Sequence, residues 1–177
     1  MSRARVPLLA LARLALGTVA SPLLAQTASM TASATVSDVT ISIDAAQELQ
    51  FGGVAPGTPT YVDPKTSATA GLFEIRGARR AEFTLSMLLP MQLTTGAGPH
   101  AMPITFGAAG ACYRDRSQRN QCAYYDPAIT LVNRLRNDAF PNNTFYVWVG
   151  GTVSPSAAQF PGVYAGLITA SVAYTGN

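Results

Sequence analysis

The amino-acid sequence predicts an all-β fold, a sandwich or a barrel of short strands, on three observations. Apolar and polar residues alternate in short runs, with the period of two that a half-buried strand has. Segments rich in Gly and Pro separate these runs and predict turns, as in "GGVAPGTP" at 52–59. The sequence after residue 25 contains no long amphipathic helical pattern, so the strands have to pack on each other.

The N-terminus has the pattern of a secretory signal peptide at 1–25. Arg3 and Arg5 precede an apolar stretch rich in Leu and Ala, and Arg13 within that stretch is atypical. The uninterrupted apolar run is shorter than the roughly 20 residues that a membrane-spanning helix needs. We therefore expect an exported domain at 26–177 with no integral membrane span.

Removal of the signal peptide leaves a chain with no net charge. The full sequence has twelve Lys and Arg against nine Asp and Glu, a net charge of +3. Three of the twelve basic residues lie in 1–25 and all nine acidic residues follow it, so nine of each sign remain. The sequence pI of about 9.1 is therefore due to the signal peptide, and we expect no nucleic-acid partner.

The first predicted strand region changes its pattern part-way. Small apolar residues alternate through 26–36, and the apolar positions then shift by one residue near Ser37 and Asp38. A one-residue shift turns side chains to the opposite face, so this region is one strand with a bulge or two separate segments. In the second case the first segment is free to pair elsewhere, as a first strand or a donor strand. Its alternating residues are Ala28, Met30, Ala32, Ala34 and Val36.

Four central runs predict further strands by their alternation. They are "GLFEIRG" at 71–77, "AEFTLSM" at 81–87, "MPITF" at 102–106 and "FYVWVGGTV" at 145–153. The stretch "LVNRLRNDA" at 131–139 is compatible with one or two helical turns.

The alternation at 164–174 predicts a further strand, the last one in the sequence. Tyr164, Ile168, Val172 and Tyr174 alternate and predict its core face, while the opposite face carries mostly small residues. Pro161 and the glycine after it predict the turn that precedes this strand.

The stretch 108–125 contains both cysteines and the most distinctive surface pattern. In an oxidising compartment Cys112 and Cys122 are expected to form a disulfide, and the alternative is two free thiols. Arg and Tyr favour interfaces, so a loop pinned in this way is a candidate interaction surface. The alternative, a solvated hairpin that its arginines keep soluble, is the favoured interpretation. The candidate residues are Tyr113, Arg114, Arg116, Arg119, Tyr124 and Tyr125.

The residues argue against an enzyme. His100 is the single histidine and lies in a "GAGPH" turn, where a histidine is typically a solvated surface group. The nine acidic residues are scattered, and the cysteines have no metal-ligand spacing. We therefore predict no catalytic residue, no metal site and no cofactor.

Several motifs occur in a fixed order: "LQFGGVAPG", "AEFTLS", "MPITF", "VGGTV" and "PGVYAG" followed by "VAY". In this order they resemble a bacterial family of exported proteins known as domain of unknown function 4402, over about residues 35–175. They are also similar to spore-coat-U-like and Csu-type pilin subunits, which end in a comparable strand. The stretch 108–125 looks like an insertion, and the cysteines that Csu-type pilins carry nearer the start of the domain are absent.

The resemblance implies an immunoglobulin-like antiparallel β-sandwich that lacks a final strand. In such pilins the N-terminal segment of the next subunit fills the gap, because a free sheet edge offers unpaired backbone groups that a foreign strand satisfies. The implied partners are copies of the chain or related subunits, together with a periplasmic chaperone. The sequence leaves open whether 26–36 pairs with its own last strand or with that of a neighbour.

These observations predict an exported, non-enzymatic structural or adhesion module, a pilin-like subunit of a surface fibre. The alternative is a monomeric binding module whose contact face is the loop between Cys112 and Cys122. Either protein is expected in the periplasm or at the bacterial cell surface.

Overall fold

The computed structural model describes residues 39–96, 100–138 and 143–176. These residues form thirteen strands, paired antiparallel throughout, and one turn of 3₁₀ helix at Arg119–Gln121. The strands are β1 (Ser42–Gln47), β2 (Thr60–Val62), β3 (Gly71–Arg76), β4 (Glu82–Leu88), β5 (Gln92–Thr95), β6 (Ala101–Thr105), β7 (Ala111–Arg114), β8 (Ala123–Tyr125), β9 (Leu131–Arg134), β10 (Phe145–Val149), β11 (Gly151–Val153), β12 (Tyr164–Ala165) and β13 (Thr169–Tyr174).

The strands form two layers, and the predicted all-β antiparallel sandwich is confirmed. One layer has the order β1-β3-β10-β7-β8. The other contains β13-β4-β9 and β12-β5-β6-β11-β2. β12 pairs with β5 and β13 pairs with β4. Since β4 and β5 follow each other in the chain, as do β12 and β13, the last two strands run alongside β4 and β5.

The main core lies between the layers. Ile75, Val147 and Val149 contribute from the first layer, and Phe83 and Leu85 from the second. Each of these side chains is almost completely buried, which contributes about 1.5–3 kcal/mol per large apolar side chain. A second, smaller core consists of Leu93, Met102, Ile104 and Val153, with Tyr164 packed against it.

The chain changes layer between β10 and β11, at Gly150. A side chain at this position would overlap the carbonyl oxygen of Val62 and the ring of Pro64. The N–H of Gly150 donates a hydrogen bond of 2.8 Å to the carbonyl oxygen of Gly110. The close approach of three backbone segments therefore requires glycine here.

Two sequence expectations meet the structure differently. The stretch expected to form helical turns contains strand β9, because Leu131–Arg134 pairs with the edge of β4. The predicted signal peptide at 1–25 and the candidate strand at 26–36, with Ala28, Met30, Ala32, Ala34 and Val36, lie outside the described residues.

Candidate functional site

The predicted terminal strand is two strands with a break between them. Ile168, Val172 and Tyr174 pack against the main core, whereas Tyr164 lies on β12 and packs against the smaller one. The break coincides with Gly166, where a Cβ atom would lie 2.7 Å from Cδ2 of Leu93 and 3.3 Å from a backbone oxygen. The four predicted core-face residues therefore face the interior, but from two different strands.

β13 has one free edge within the described part of the chain. From Thr169 to Tyr174 it pairs residue by residue with β4, and none of residues 39–96, 100–138 and 143–176 pairs with its other edge. β1 in the opposite layer likewise pairs only with β3 among these residues. The two edge strands contact each other, so they flank one side of the sandwich.

An apolar line runs between these two edges, and we call it the seam. Its residues all pack against the main core but are only half-buried, unlike Ile75 or Phe83 at its centre. Half-burial at core-facing positions means that the core is incompletely covered along this side. On one side the seam consists of Ile43 on β1 and Ile41 directly before it. On the other side it consists of Ile168, directly before β13, and Ala170, Val172 and Tyr174 on β13.

Tyr174 holds one end of the seam. Its hydroxyl donates a hydrogen bond of 2.9 Å to the carbonyl oxygen of Val39 and accepts one of 2.6 Å from the N–H of Ala78. Val39 is the first residue that the structure describes, so the described chain begins at this end of the seam. The tyrosine hydroxyl thereby connects the last strand, the β3–β4 turn and the start of the described chain.

Cys112 and Cys122 form the predicted disulfide, with a Cα–Cα distance of 5.5 Å. Both cysteines are buried and pack on Trp148, which points away from the main core because its neighbours Val147 and Val149 point into it. The disulfide loop therefore covers a hydrophobic cluster on the outer face of the first layer.

The six candidate interaction residues of this loop differ in their contacts and their exposure. Tyr113 and Tyr125 pack against the main core, and the ring centroids of Tyr113 and Phe145 are 5.7 Å apart. Burial, and then the neighbouring Tyr113, raise the pKa of Tyr125 above its usual value. Nη1 of Arg114 donates to the carbonyl oxygen of Gln121 at 2.7 Å. Arg116 and Tyr124 are exposed, and Arg119 is half-buried.

Tyr124 also joins the loop to the segment after β2. Its hydroxyl donates to Oδ1 of Asp63 at 3.1 Å, and Nζ of Lys65 lies 5.2 Å from the centre of its ring. Partial burial acts to raise the pKa of Asp63, but hydrogen bonds from the N–H of Lys65 and from Tyr124 outweigh it and leave that pKa lowered. The contact fixes the exposed edge of the loop.

A match to a family model spans almost the whole sequence. The model of the domain of unknown function DUF4402 matches residues 12–174, which include both seam strands and the disulfide loop. The chain belongs to the DUF4402 family. No curated protein and no solved structure matches it.

His100 of this DUF4402 chain stacks on Phe160, with ring centroids 4.1 Å apart, at the side of an open depression. In the described part of the DUF4402 domain, no three His, Cys, Asp or Glu residues are grouped so that they could hold a metal ion. Nor do residues 39–96, 100–138 and 143–176 include a helix long and apolar enough for a membrane crossing.

Sequence reasoning missed two features of this DUF4402 site. One is the bonding of Tyr174 to Val39 and Ala78, which joins residues far apart in the chain. A glycine at position 77 is the one sequence feature connected with this contact, because a Cβ atom there would lie 2.5 Å from the hydroxyl oxygen of Tyr174. The other is Trp148 beneath the disulfide, which the outward position of Trp148 in its alternating run could have indicated.

Proposed function

We propose that this chain is an exported, non-enzymatic structural module, a pilin-like subunit of a surface fibre, and that a strand docked in the seam connects subunits. The observation that carries the proposal is the seam itself, a half-buried apolar line between two strand edges that are free among the described residues. The resemblance to spore-coat-U-like and Csu-type pilins supports the same arrangement. Export is supported by the signal-peptide pattern and by the disulfide between Cys112 and Cys122.

A docked strand would satisfy two requirements of the seam at once. The free edge of β13 carries backbone N–H and C=O groups that a further strand can pair with. Side chains from that strand would cover Ile168 and Val172, and complete burial of an aliphatic side chain contributes about 1.5–3 kcal/mol relative to exposure. The seam therefore favours an extended segment with apolar residues at alternate positions.

The segment 26–36 has this pattern. Its alternating side chains are apolar and mostly small, so they suit a shallow groove beside half-buried residues such as Ile43 and Val172. Its eleven positions exceed the six residues of β13, which makes it long enough to pair along the whole strand. Ser37 and Asp38 connect it to Val39, and both uses are open to it: docking in its own seam or in that of a neighbouring copy or related subunit. A periplasmic chaperone would protect the seam before assembly.

Truncation of the N-terminal segment tests the proposal. Chains 26–177 and 37–177 are purified and compared by electrophoresis in mild SDS, by chemical unfolding, and by capture of a synthetic peptide of sequence 26–36. Strand exchange predicts ladders from the longer chain and none from the shorter. Docking in the same chain predicts monomers throughout and a less stable shorter chain. In both cases the shorter chain captures the peptide.

A matched peptide sharpens this test. Replacing Met30 and Ala32 with Asp in the peptide places charges at two inward positions and should abolish capture, because burying an unpaired charge is costly. The connection between subunits is overturned if the longer chain forms no ladders. Docking of 26–36 in the seam is overturned if the shorter chain keeps full stability and does not distinguish the two peptides.

A second candidate is a monomeric binding module that uses the disulfide loop. The observation that favours it is the group of the exposed Arg116 and Tyr124 and the half-buried Arg119, on a loop that the disulfide and the contact of Tyr124 with Asp63 hold in place. Replacing both arginines with Ala should then abolish attachment of expressing cells to their target surface without changing the behaviour of the seam. Unchanged attachment would favour a covering role for the loop.

A further inference from the structure

Three large apolar side chains are exposed around the start of β13, and we call them the apolar patch. Leu88 is 73% exposed, Met91 88% and Leu167 79%. Leu88 pairs with Thr169, the first residue of β13, so it lies beside the strand that Leu167 leads into. The segment before β5, which carries Met91, passes next to Gly166, since a Cβ there would be 3.4 Å from the ring of Pro90.

The two stretches of sequence that contain the patch carry no Asp, Glu, Lys or Arg. The sequence has no Asp, Glu, Lys or Arg between Glu82 and Arg114, and none after Asp138. These two stretches contain β5, β6 and β11–β13, which pair with each other or with β4 in the second layer. The cores of protein interfaces are depleted of charged residues, and groups of exposed large apolar side chains mark interaction sites. The face thus suits an uncharged protein surface and repels no copy of itself.

The direction of a docked strand decides which part of a second copy meets this face. Every strand pair among the described residues is antiparallel. A strand that pairs antiparallel with β13 ends beside the beginning of β13, at Thr169. If that strand is the segment 26–36 of another copy, it continues there into Val39 and the folded domain of that copy. The same segment docked in its own chain would instead end beside Tyr174, where Val39 lies.

We infer that the apolar patch contacts the folded domain of the second copy whose N-terminal segment occupies the seam. The inference rests on the proposed strand docking, and it adds a second contact between the same two subunits. A specific interface buries about 800 Å² on each partner, more than three side chains supply, so the uncharged Thr, Ser and Ala surface around them takes part. The docked strand and the patch would then act together to set the angle between neighbouring subunits.

Photo-crosslinking tests this contact. A photoreactive phenylalanine analogue replaces Leu167 in chain 26–177, and Val132 in a matched control. Val132 is 56% exposed and lies on β9, on the other side of β4 from β13. After assembly and irradiation we expect copy-to-copy crosslinks from position 167 and none from position 132. Removal of 26–36 should abolish the crosslinks from position 167.

A second variant checks the same contact without a label. Replacing both Leu88 and Leu167 with Ser should raise the concentration required for half-maximal assembly by about tenfold, as loss of a well-packed apolar contact does. Both side chains are exposed, so the urea unfolding midpoint of chain 37–177 should not change. Val132→Ser is the control and should leave assembly within about twofold of the original.

The outcomes separate this inference from the proposed function. Ladders in mild SDS without crosslinks from position 167 would leave strand docking in place and overturn the patch contact. Crosslinks from position 167 without ladders would support a patch contact between copies and overturn strand docking. Equal crosslinking from positions 167 and 132, or none from either, overturns the inference.

Discussion

The hydroxyl of Tyr174 donates a hydrogen bond of 2.9 Å to the carbonyl oxygen of Val39, 135 positions earlier in the sequence. The hydroxyl oxygen of Tyr174 also accepts a hydrogen bond of 2.6 Å from the N–H of Ala78. One side chain near the end of the chain therefore fixes the β3–β4 turn and the start of the described chain. Tyr174 lies on β13 and Val39 precedes β1, and these two strands flank the seam. The hydrogen bond between them therefore joins the two sides of the seam at one end.

Tyr174→Phe should destabilise the domain by about 1–2 kcal/mol. The substitution removes the acceptor of the Ala78 N–H and the donor to Val39 but keeps the ring. Urea unfolding of chain 37–177 measures the change, and Tyr61→Phe, at an exposed ring, is the control. Capture of the 26–36 peptide should also weaken, since the seam loses its fixed end. An unfolding midpoint equal to that of Tyr61→Phe would contradict this role.

Gly77→Ala should destabilise by about 1–3 kcal/mol for a related reason. The added Cβ would lie 2.5 Å from the hydroxyl oxygen of Tyr174 and 3.0 Å from Cδ1 of Leu135, so both side chains must move. Gly53→Ala is the control, because nothing lies within 4 Å of that Cβ.

The double variant Gly77→Ala with Tyr174→Phe separates the two contacts. Since the alanine collides with the group that the phenylalanine lacks, the two losses should combine to less than their sum, with a coupling of about 0.5–1 kcal/mol or more. Strict additivity in urea unfolding would show that the loss at Gly77 does not depend on the Tyr174 hydroxyl and comes from the backbone or from the contact with Leu135.

Local alternation predicted the strands and the inward side of most of them. Phe83, Leu85 and Met87 face the core as their spacing requires, because a half-buried strand imposes a period of two. The same reasoning predicted one strand at 164–174, since the alternation of its apolar face continues through the whole stretch and only Leu167 interrupts the opposite face. The break at Gly166 depends on Leu93 and Gln92, which are about seventy positions earlier, and no local pattern contains that contact.

The candidate site was predictable to a similar extent. A terminal strand with one apolar face predicts a seam, and Ile168, Val172 and Tyr174 do line it. The stretch with Leu131 was ambiguous because its apolar residues fit a short helix, and pairing with the free side of β4 made it a strand instead. The bonds of Tyr174 are tertiary in origin, so only the folded chain reveals them.

Loss of the disulfide should destabilise the domain by about 2–3 kcal/mol and expose Trp148. The bond closes a short loop, for which the loss of unfolded-state entropy has this size. Replacing Cys112 and Cys122 with Ala removes the bond without burying a polar group. Trp148 is the single tryptophan, so its emission maximum reports on this cluster alone and should shift to longer wavelength. The original chain with added reductant should match the variant, and an unchanged emission maximum would contradict a covering role for the loop.

Tyr124→Phe should raise the pKa of Asp63 toward its usual value. The tyrosine hydroxyl is one of the donors that lower this pKa, and the N–H of Lys65 would remain as a donor. A carboxyl with a lowered pKa in the folded state contributes stability above its unfolded pKa, near 3.8, and loses it as the pH falls through the folded value. The stability difference between the two chains should therefore shrink below about pH 4. Carbon-13 titration of the Asp63 carboxyl measures the pKa, and an equal pKa in both chains would exclude this bond.

Val172→Thr tests the seam with the smallest change in shape. Val172 faces the seam from β13 and is half-buried, so threonine places a hydroxyl where a docked strand would cover it. Burying an unsatisfied hydroxyl costs about 1–3 kcal/mol, so we expect peptide 26–36 to bind at least about fivefold more weakly to chain 37–177. Val132→Thr makes the same chemical change on an exposed face of the same sheet and should leave binding unchanged. The hydroxyl is only partly buried before docking. Val172→Thr should therefore lower the free energy of unfolding by less than it weakens the free energy of peptide binding. Equal affinities for the two variants, measured by calorimetry, would mean that the docked strand does not lie over Val172.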